Sequence, residues 1–243
     1  MSDGASSAQR RKPDGLRGRA GLVTDVVSGK TRVGRFGWKA QQATLLAFSG
    51  DAYVNEMGVT SRLFPLENAP NGNAGLLARF DKVAGVEDVV DPLTGKGDID
   101  HAADFMRFLA PPPPLRLGIS ASAGGRLFEQ IQCAACHLPM MYTGAHKIAA
   151  LSHRPVPLFS DLLLHDMGAL GDGIQQATAK GAEMRTAPLW GLRARTPYLH
   201  DGRAKTVSEA IRAHGGEAAA SRDRFNKLSA VQRQQLLDYL NAI

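Results

Sequence analysis

Apolar residues recur at helical spacing in several stretches of this chain, and those stretches predict most of its elements. In residues 100–109, Ala102, Phe105, Met106 and Leu109 share one helical face, and Asp98 or Asp100 is placed to cap the start. A further helix runs into Cys133. Its apolar stripe is Leu127, Phe128 and Ile131, with Ser120 or Ser122 as the cap. Thr206 with Glu209, and Ser229 with Gln232, form two capping boxes. The first opens a helix that stops at Gly215-Gly216; the second opens one carrying Leu236, Tyr239, Leu240 and Ile243 on one side. Residues 41–53 also have helical character. Residues 22–27 and 31–36 flank Ser28-Gly29-Lys30 as a small β-hairpin. Residues 138–202 hold five prolines and many glycines, so a long irregular region is expected there.

Four consecutive prolines, Pro111 to Pro114, cannot continue a helix and mark a boundary. The chain therefore divides into a basic flexible tail (1–20), a first module (21–110), a Pro-rich linker (111–117) and a second module (118–243). The fold class is mainly α with long loops. No internal repeat appears beyond the two modules.

The 243 residues are 44% hydrophobic and 21% charged, which excludes wholesale disorder. No apolar run is long enough for a spanning helix. The net charge of +6 owes much to Arg10, Arg11, Lys12, Arg17 and Arg19 in the tail. No aromatic platform accompanies them, so a nucleic-acid partner is not expected; a positive surface suits an acidic redox partner instead. The opening residues lack the apolar core of a secretion signal.

Both cysteines lie in Cys133-Ala134-Ala135-Cys136-His137, the attachment signature of c-type haem. Two thiols three residues apart on one turn can each form a thioether with a haem vinyl group, and the next residue, His137, then becomes the proximal iron ligand. A zinc site would need His residues to complete the two thiolates. A thioredoxin-like pair would need a βαβ setting. For the sixth iron position the candidates are His146, His153, His165, His200 and His214, with Met140, Met141, Met167 and Met184. His214 aligns with Val207, Ala210 and Ile211 on an apolar helix face, as a core-facing ligand would, or as a His at a helix C-terminus would. His200 sits in a tight turn, where it could bond a haem propionate. His165 could equally anchor a loop.

The chain resembles the bacterial di-haem oxidoreductases of the peroxidase type, also called thiol oxidoreductases, which are distant relatives of di-haem cytochrome c peroxidases. The matching stretches are Gly34-Arg35-Phe36-Gly37-Trp38-Lys39-Ala40, Glu56-Met57-Gly58-Val59-Thr60-Ser61 and the cysteine motif. Further on they are 161–168, Pro188-Leu189-Trp190-Gly191-Leu192, 198–203 and His214-Gly215-Gly216-Glu217-Ala218. The resemblance implies a cytochrome c-like haem domain preceded by part of a second one, the remnant of a peroxidatic domain. It implies one covalent haem c on Cys133 and Cys136, with His137 and His214 axial; His214 stands sixteen residues after Tyr198, where the relatives carry the ligand. Trp38 matches a tryptophan that relays electrons between the haems, and Glu56 matches the acid–base carboxylate over the peroxide-binding haem. Hydrogen peroxide is the implied substrate, and a small redox protein or a second haem domain the implied partner. A calcium ion is implied at the carbonyls of Arg195 and Pro197.

The second Cys-x-x-Cys-His of these proteins is absent from the sequence. The expectation is a truncated gene, a misplaced start or a two-gene arrangement, with some two hundred residues of a relative missing. A periplasmic location follows from covalent haem attachment. Three readings compete: the electron-transfer domain of a peroxidase-like di-haem oxidoreductase, a mono-haem electron carrier, and a non-haem zinc- or redox-active fragment.

Overall fold

The computed structural model describes residues 15–243. Among them are seven α-helices and three two-stranded antiparallel sheets, so the fold is mainly α. No helix among the described residues is long and apolar enough to cross a membrane. The described residues form two compact units: one comprises Leu22–Gly37 and Gln42–Ala110, the other residues 15–21, Trp38–Gln41 and Pro111–Ile243.

The smaller unit opens with the hairpin of β1 (Leu22–Thr24) and β2 (Thr31–Val33), paired Leu22 to Val33. The buried Asp25 carboxylate ties its turn, accepting from Ser28 Oγ at 2.7 Å and from Thr44 Oγ1 at 3.3 Å. Helix α1 (Leu45–Ala52) is capped by Thr44, which accepts from the Ala47 N–H, and runs into a π-turn over Tyr53–Met57. Helix α2 (Ala74–Phe80) buries nothing. Helix α3 (Asp98–Phe108) packs on α1.

The face and cap expected for α3 both need correction. Its N-cap is Gly97, and Asp88 accepts from the N–H groups of Asp98 (2.6 Å) and Ile99 (3.4 Å). Asp100 instead accepts from the Gly97 N–H and pairs with Arg62. This clamp at the first turn turns Ile99 and Ala103 inward, and leaves Phe105 and Leu109 exposed.

In the larger unit, helix α4 (Ile119–Gln130) packs along α7 (Ala230–Ala242). The core is Phe128, Ile131, Phe159, Leu192, Phe225, Leu236, Leu240 and Ile243, joining both predicted stripes. The two helices touch closely at Gly124, where an added Cβ would stand 1.9 Å from the Gln235 carbonyl oxygen. Neither predicted serine caps α4. Gly118 is its N-cap without a side-chain bond, and Ser120 donates to Asp238 instead. Both capping boxes form, on α5 (Val207–Ala213) and on α7. Between them lies α6 (Ala219–Lys227), which the periodicity did not predict: Phe225 is its one buried residue, so no apolar stripe announces it.

The stretch 138–202 is more ordered than expected. It carries β3 (Met141–Tyr142) with β4 (Pro155–Val156), and β5 (Leu164–Asp166) with β6 (Glu183–Arg185). The tail expectation falls partly outside the described residues, at 1–14. Residues 15–20 are anchored rather than flexible. Leu16 is buried, Arg19 exchanges backbone hydrogen bonds with Leu164, and its guanidinium pairs with Glu183.

Candidate functional site

The cysteine motif follows directly from the end of α4. Ile131 closes that helix, Gln132 takes a left-handed conformation with φ 68°, and Cys133–Ala135 forms a 3-10 turn. The His137 N–H donates to the Cys133 carbonyl at 2.9 Å, so the turn continues through the histidine. Neither cysteine is in a disulfide. Burial pushes the Cys133 thiol up to about 12, so it is protonated at neutral pH and a poor redox nucleophile.

Both sulfurs, His137 and His214 border one cavity of about 400 Å³, within the range of ligand pockets and lined mainly by apolar side chains such as Phe128, Leu192 and Ile211. His137 Nδ1 lies 2.9 Å from the Phe159 carbonyl, and His214 Nδ1 lies 2.8 Å from the Ala210 carbonyl. A carbonyl accepts only, so each Nδ1 carries the proton and each Nε2 keeps its lone pair. The ring centroids are 6.5 Å apart. Two imidazole nitrogens each about 2 Å from a shared metal, plus a ring radius of about 1 Å on either side, require about 6 Å. The residues therefore fit an iron held between them. Burial lowers the pKa of both histidines; for His137, burial and then the neighbouring His214 bring it to about 4. Both are neutral, the form that ligates a metal.

The local sequence explains how His214 comes to face His137. The Thr206–Glu209 box fixes the start of α5, and His214 ends that helix on the side of Val207, Ala210 and Ile211, all of which border the cavity. Arg222 holds the His214 carbonyl at 3.0 Å. His200 and Trp38 also reach the cavity, with rings edge-to-face at 6.2 Å. Trp38 is 46% exposed. Arg195 and Pro197 border the same space, as does Arg185, whose pKa burial lowers to about 10.

Of the other candidates for an axial position, His165, Met167 and Met184 border the cavity, whereas His146, His153, Met140 and Met141 are not among its lining residues. Glu56 is not among them either. It is an exposed residue of the π-turn in the smaller unit.

One part of the site escaped the sequence reading. His165 Nε2 lies 3.0 Å from Asp161 Oδ2, His165 Nδ1 lies 2.8 Å from Glu217 Oε2, and Cys136 Sγ is 3.8 Å from the same Nδ1. Asp161 and His165 are both 2% exposed. Burial opposes a charge on His165, but Asp161 and Cys136 outweigh it and raise its pKa to about 10, which makes it an imidazolium. The signal was an acid and a base four residues apart on either side of the apolar run Leu162-Leu163-Leu164. Glu217 is distant in sequence and could not be assigned to it.

Fold and site together define a mainly helical protein whose larger unit presents two thiols and a facing pair of neutral imidazoles to one apolar cavity. Residues 5–243 match the family described as "Di-haem oxidoreductase, putative peroxidase", and the chain belongs to that family. Haem-based redox chemistry is the property of this class. No curated protein matches. Among solved structures, a chain of hydrazine synthase from Kuenenia stuttgartiensis, pressurised with xenon, is similar at 19% identity and a TM-score of 0.42. The match covers 70% of this chain and 60% of that one, so this chain spans less than two thirds of the other's length.

Proposed function

We propose that this chain is the electron-transfer part of a peroxidase-type di-haem oxidoreductase, with a cytochrome c-like larger unit that carries one covalent haem c. Cys133 and Cys136 would form the two thioethers, and His137 and His214 would hold the iron. The observation that carries this reading is the 6.5 Å separation of two imidazoles, each with its Nδ1 tied to a carbonyl, beside both thiols. When bound, the haem supplies one-electron redox chemistry.

The protein's own residues supply the setting. The carbonyls of Phe159 and Ala210 fix the two rings and their tautomers. The apolar wall keeps water from the centre. His200 and the cationic Arg185 and Arg195 stand at the cavity to bond the propionates. By the resemblance, Trp38, part buried at the cavity and part exposed, would carry electrons toward a second haem, and Glu56 would serve as acid–base for hydrogen peroxide there. A haem attached through thioethers places the mature protein in the periplasm. With both His137 and His214 holding it, such a haem would suit electron relay more than peroxide binding.

A mono-haem electron carrier is the second reading, favoured by the exposure of Glu56. The redox-thiol version of a non-haem fragment is disfavoured by the high pKa of Cys133. The test is expression with an export signal alongside haem-attachment machinery, followed by a denaturing gel stained for haem and mass spectrometry of the intact chain. A stained band with the added mass of one porphyrin is expected; a colourless band overturns the proposal. Peroxide added to the reduced holoprotein then separates the two haem readings. Rapid reoxidation only in the presence of a second haem domain supports the relay, and no peroxide-dependent oxidation with any such partner supports the carrier.

A further inference from the structure

We propose that, in the chain without porphyrin, Cys136, Asp161 and His165 form a binding site for a divalent ion of the zinc class. One donor atom from each of the three lies within 4.8 Å of the others. A tetrahedral zinc with sulfur at about 2.3 Å and nitrogen or oxygen at about 2.0–2.2 Å wants its donors about 3–4 Å apart. The observed Asp161 Oδ2 to His165 Nε2 distance of 3.0 Å meets this directly, and drawing the Cys136 sulfur in from within 4.8 Å takes about 1 Å.

The donors are held in place by backbone. The Asp161 N–H donates to the Cys136 carbonyl at 2.8 Å, which ties the acid to the cysteine turn. Asp161 Oδ1 accepts from the Leu163 N–H at 2.9 Å, while Oδ2 points to His165. His165 is fixed on β5 by its register with Met184. Behind it, Glu217 accepts from the Arg17 and Gly18 N–H groups and braces the ring from outside the donor set. Gly18 permits this approach; a Cβ there would run into the His165 ring. A carboxylate behind a ligating histidine is the usual support of such a ligand.

The donor set selects the metal. One sulfur, one nitrogen and one oxygen suit zinc or cobalt, whereas calcium and magnesium take oxygen alone. Three protein ligands leave a fourth position for water. Zinc and haem would then compete for the sulfur of Cys136.

Cobalt(II) titration of the full haem-free chain tests this, with zinc content measured by mass spectrometry. The expected result is one ion per chain, a thiolate-to-cobalt charge-transfer band and the visible bands of tetrahedral cobalt. Cys136→Ser and His165→Gln should each weaken binding at least about tenfold, whereas Cys133→Ser and His137→Ala should keep the band. Loss of the band in Cys133→Ser or His137→Ala, or its survival in His165→Gln, overturns the proposal, as does failure of the wild-type chain to bind cobalt. Circular dichroism checks that each variant is folded; should His165→Gln fail to fold, Asp161→Asn is read in its place. This test needs no haem, so its failure leaves the haem proposal intact. A chain carrying both thioethers should take up no cobalt.

Discussion

Gly124→Ala probes the contact that positions the cysteine motif. The new Cβ would stand 1.9 Å from the backbone oxygen of Gln235, and real Cβ atoms essentially never come nearer than 3.0 Å to such an atom. A backbone oxygen cannot rotate away, so α4 and α7 must part by at least about 1.1 Å. Overpacking of this kind costs about 3 kcal/mol at the upper end of its usual range. Replacing a mid-helix glycine by alanine returns about 1 kcal/mol. The net loss of about 2 kcal/mol corresponds to a melting temperature lower by about 4–8 °C for a chain of this size. The control is Gly125→Ala, whose Cβ would meet only the Tyr239 ring edge, at 3.2 Å. That ring can shift by tenths of an ångström, so the control should be close to neutral. Thermal unfolding followed by circular dichroism measures both variants. A Gly124→Ala protein that melts at or above the wild-type temperature would refute the close-packing argument. Because α4 leads straight into Cys133, and Leu240 of α7 borders the cavity, the same variant should also lower the yield of haem-bearing protein.

In the haem-loaded chain, His214→Ala should convert a low-spin absorption spectrum to a high-spin one, and added imidazole should restore it; an unchanged spectrum would move the sixth position to His165, His200, Met167 or Met184. The raised pKa of His165, about 10 against an ordinary 6.5, gives a stabilisation that is complete below about pH 6.5 and is lost as pH rises toward 10. The melting temperature of the haem-free chain should therefore fall between pH 7 and 10, and His165→Gln should flatten that fall; equal slopes would remove the imidazolium from the account. Phe225→Ala deletes a ring with 0% exposure from the core and should cost about 3–5 kcal/mol in urea unfolding, with a loss under 1 kcal/mol counting against its central place.

The parts of the fold legible in the sequence are those where a short-range pattern and the tertiary contact agree. Thr206–Glu209 and Ser229–Gln232 are complete within four residues, and both boxes form. The α4 stripe packs chiefly on α7, whose own stripe was also readable. The face of α3 was misjudged for the opposite reason. Phe105 and Leu109 are the larger apolar groups, yet Asp88, ten residues upstream of Asp98, clamps the first turn and sets which side faces α1. A clamp from outside a helix leaves no periodic trace. Helix α6 buries one side chain, so it had no pattern to read.

The site shows the same division between local and long-range information. Cys133, Cys136 and His137 follow from one pentapeptide, since a single turn places all three. The residue pattern assigned His214 to a helix face, and its pairing with His137 came from the resemblance alone, because 77 residues separate the two. Only the folded chain brings the rings to 6.5 Å. The Asp161–His165–Glu217 cluster was half visible, as an acid and a base flanking an apolar run; the carboxylate that completes it lies 52 residues further on. That cluster also explains why residues 17 and 18 are anchored. Their N–H groups bond the same Glu217 carboxylate that faces His165, so the chain preceding the hairpin is tied to the wall of the cavity beside Cys136. Residues 15–20, read as the end of a tail, are thus part of the cavity's support, through a carboxylate that local sequence reading had no means to connect.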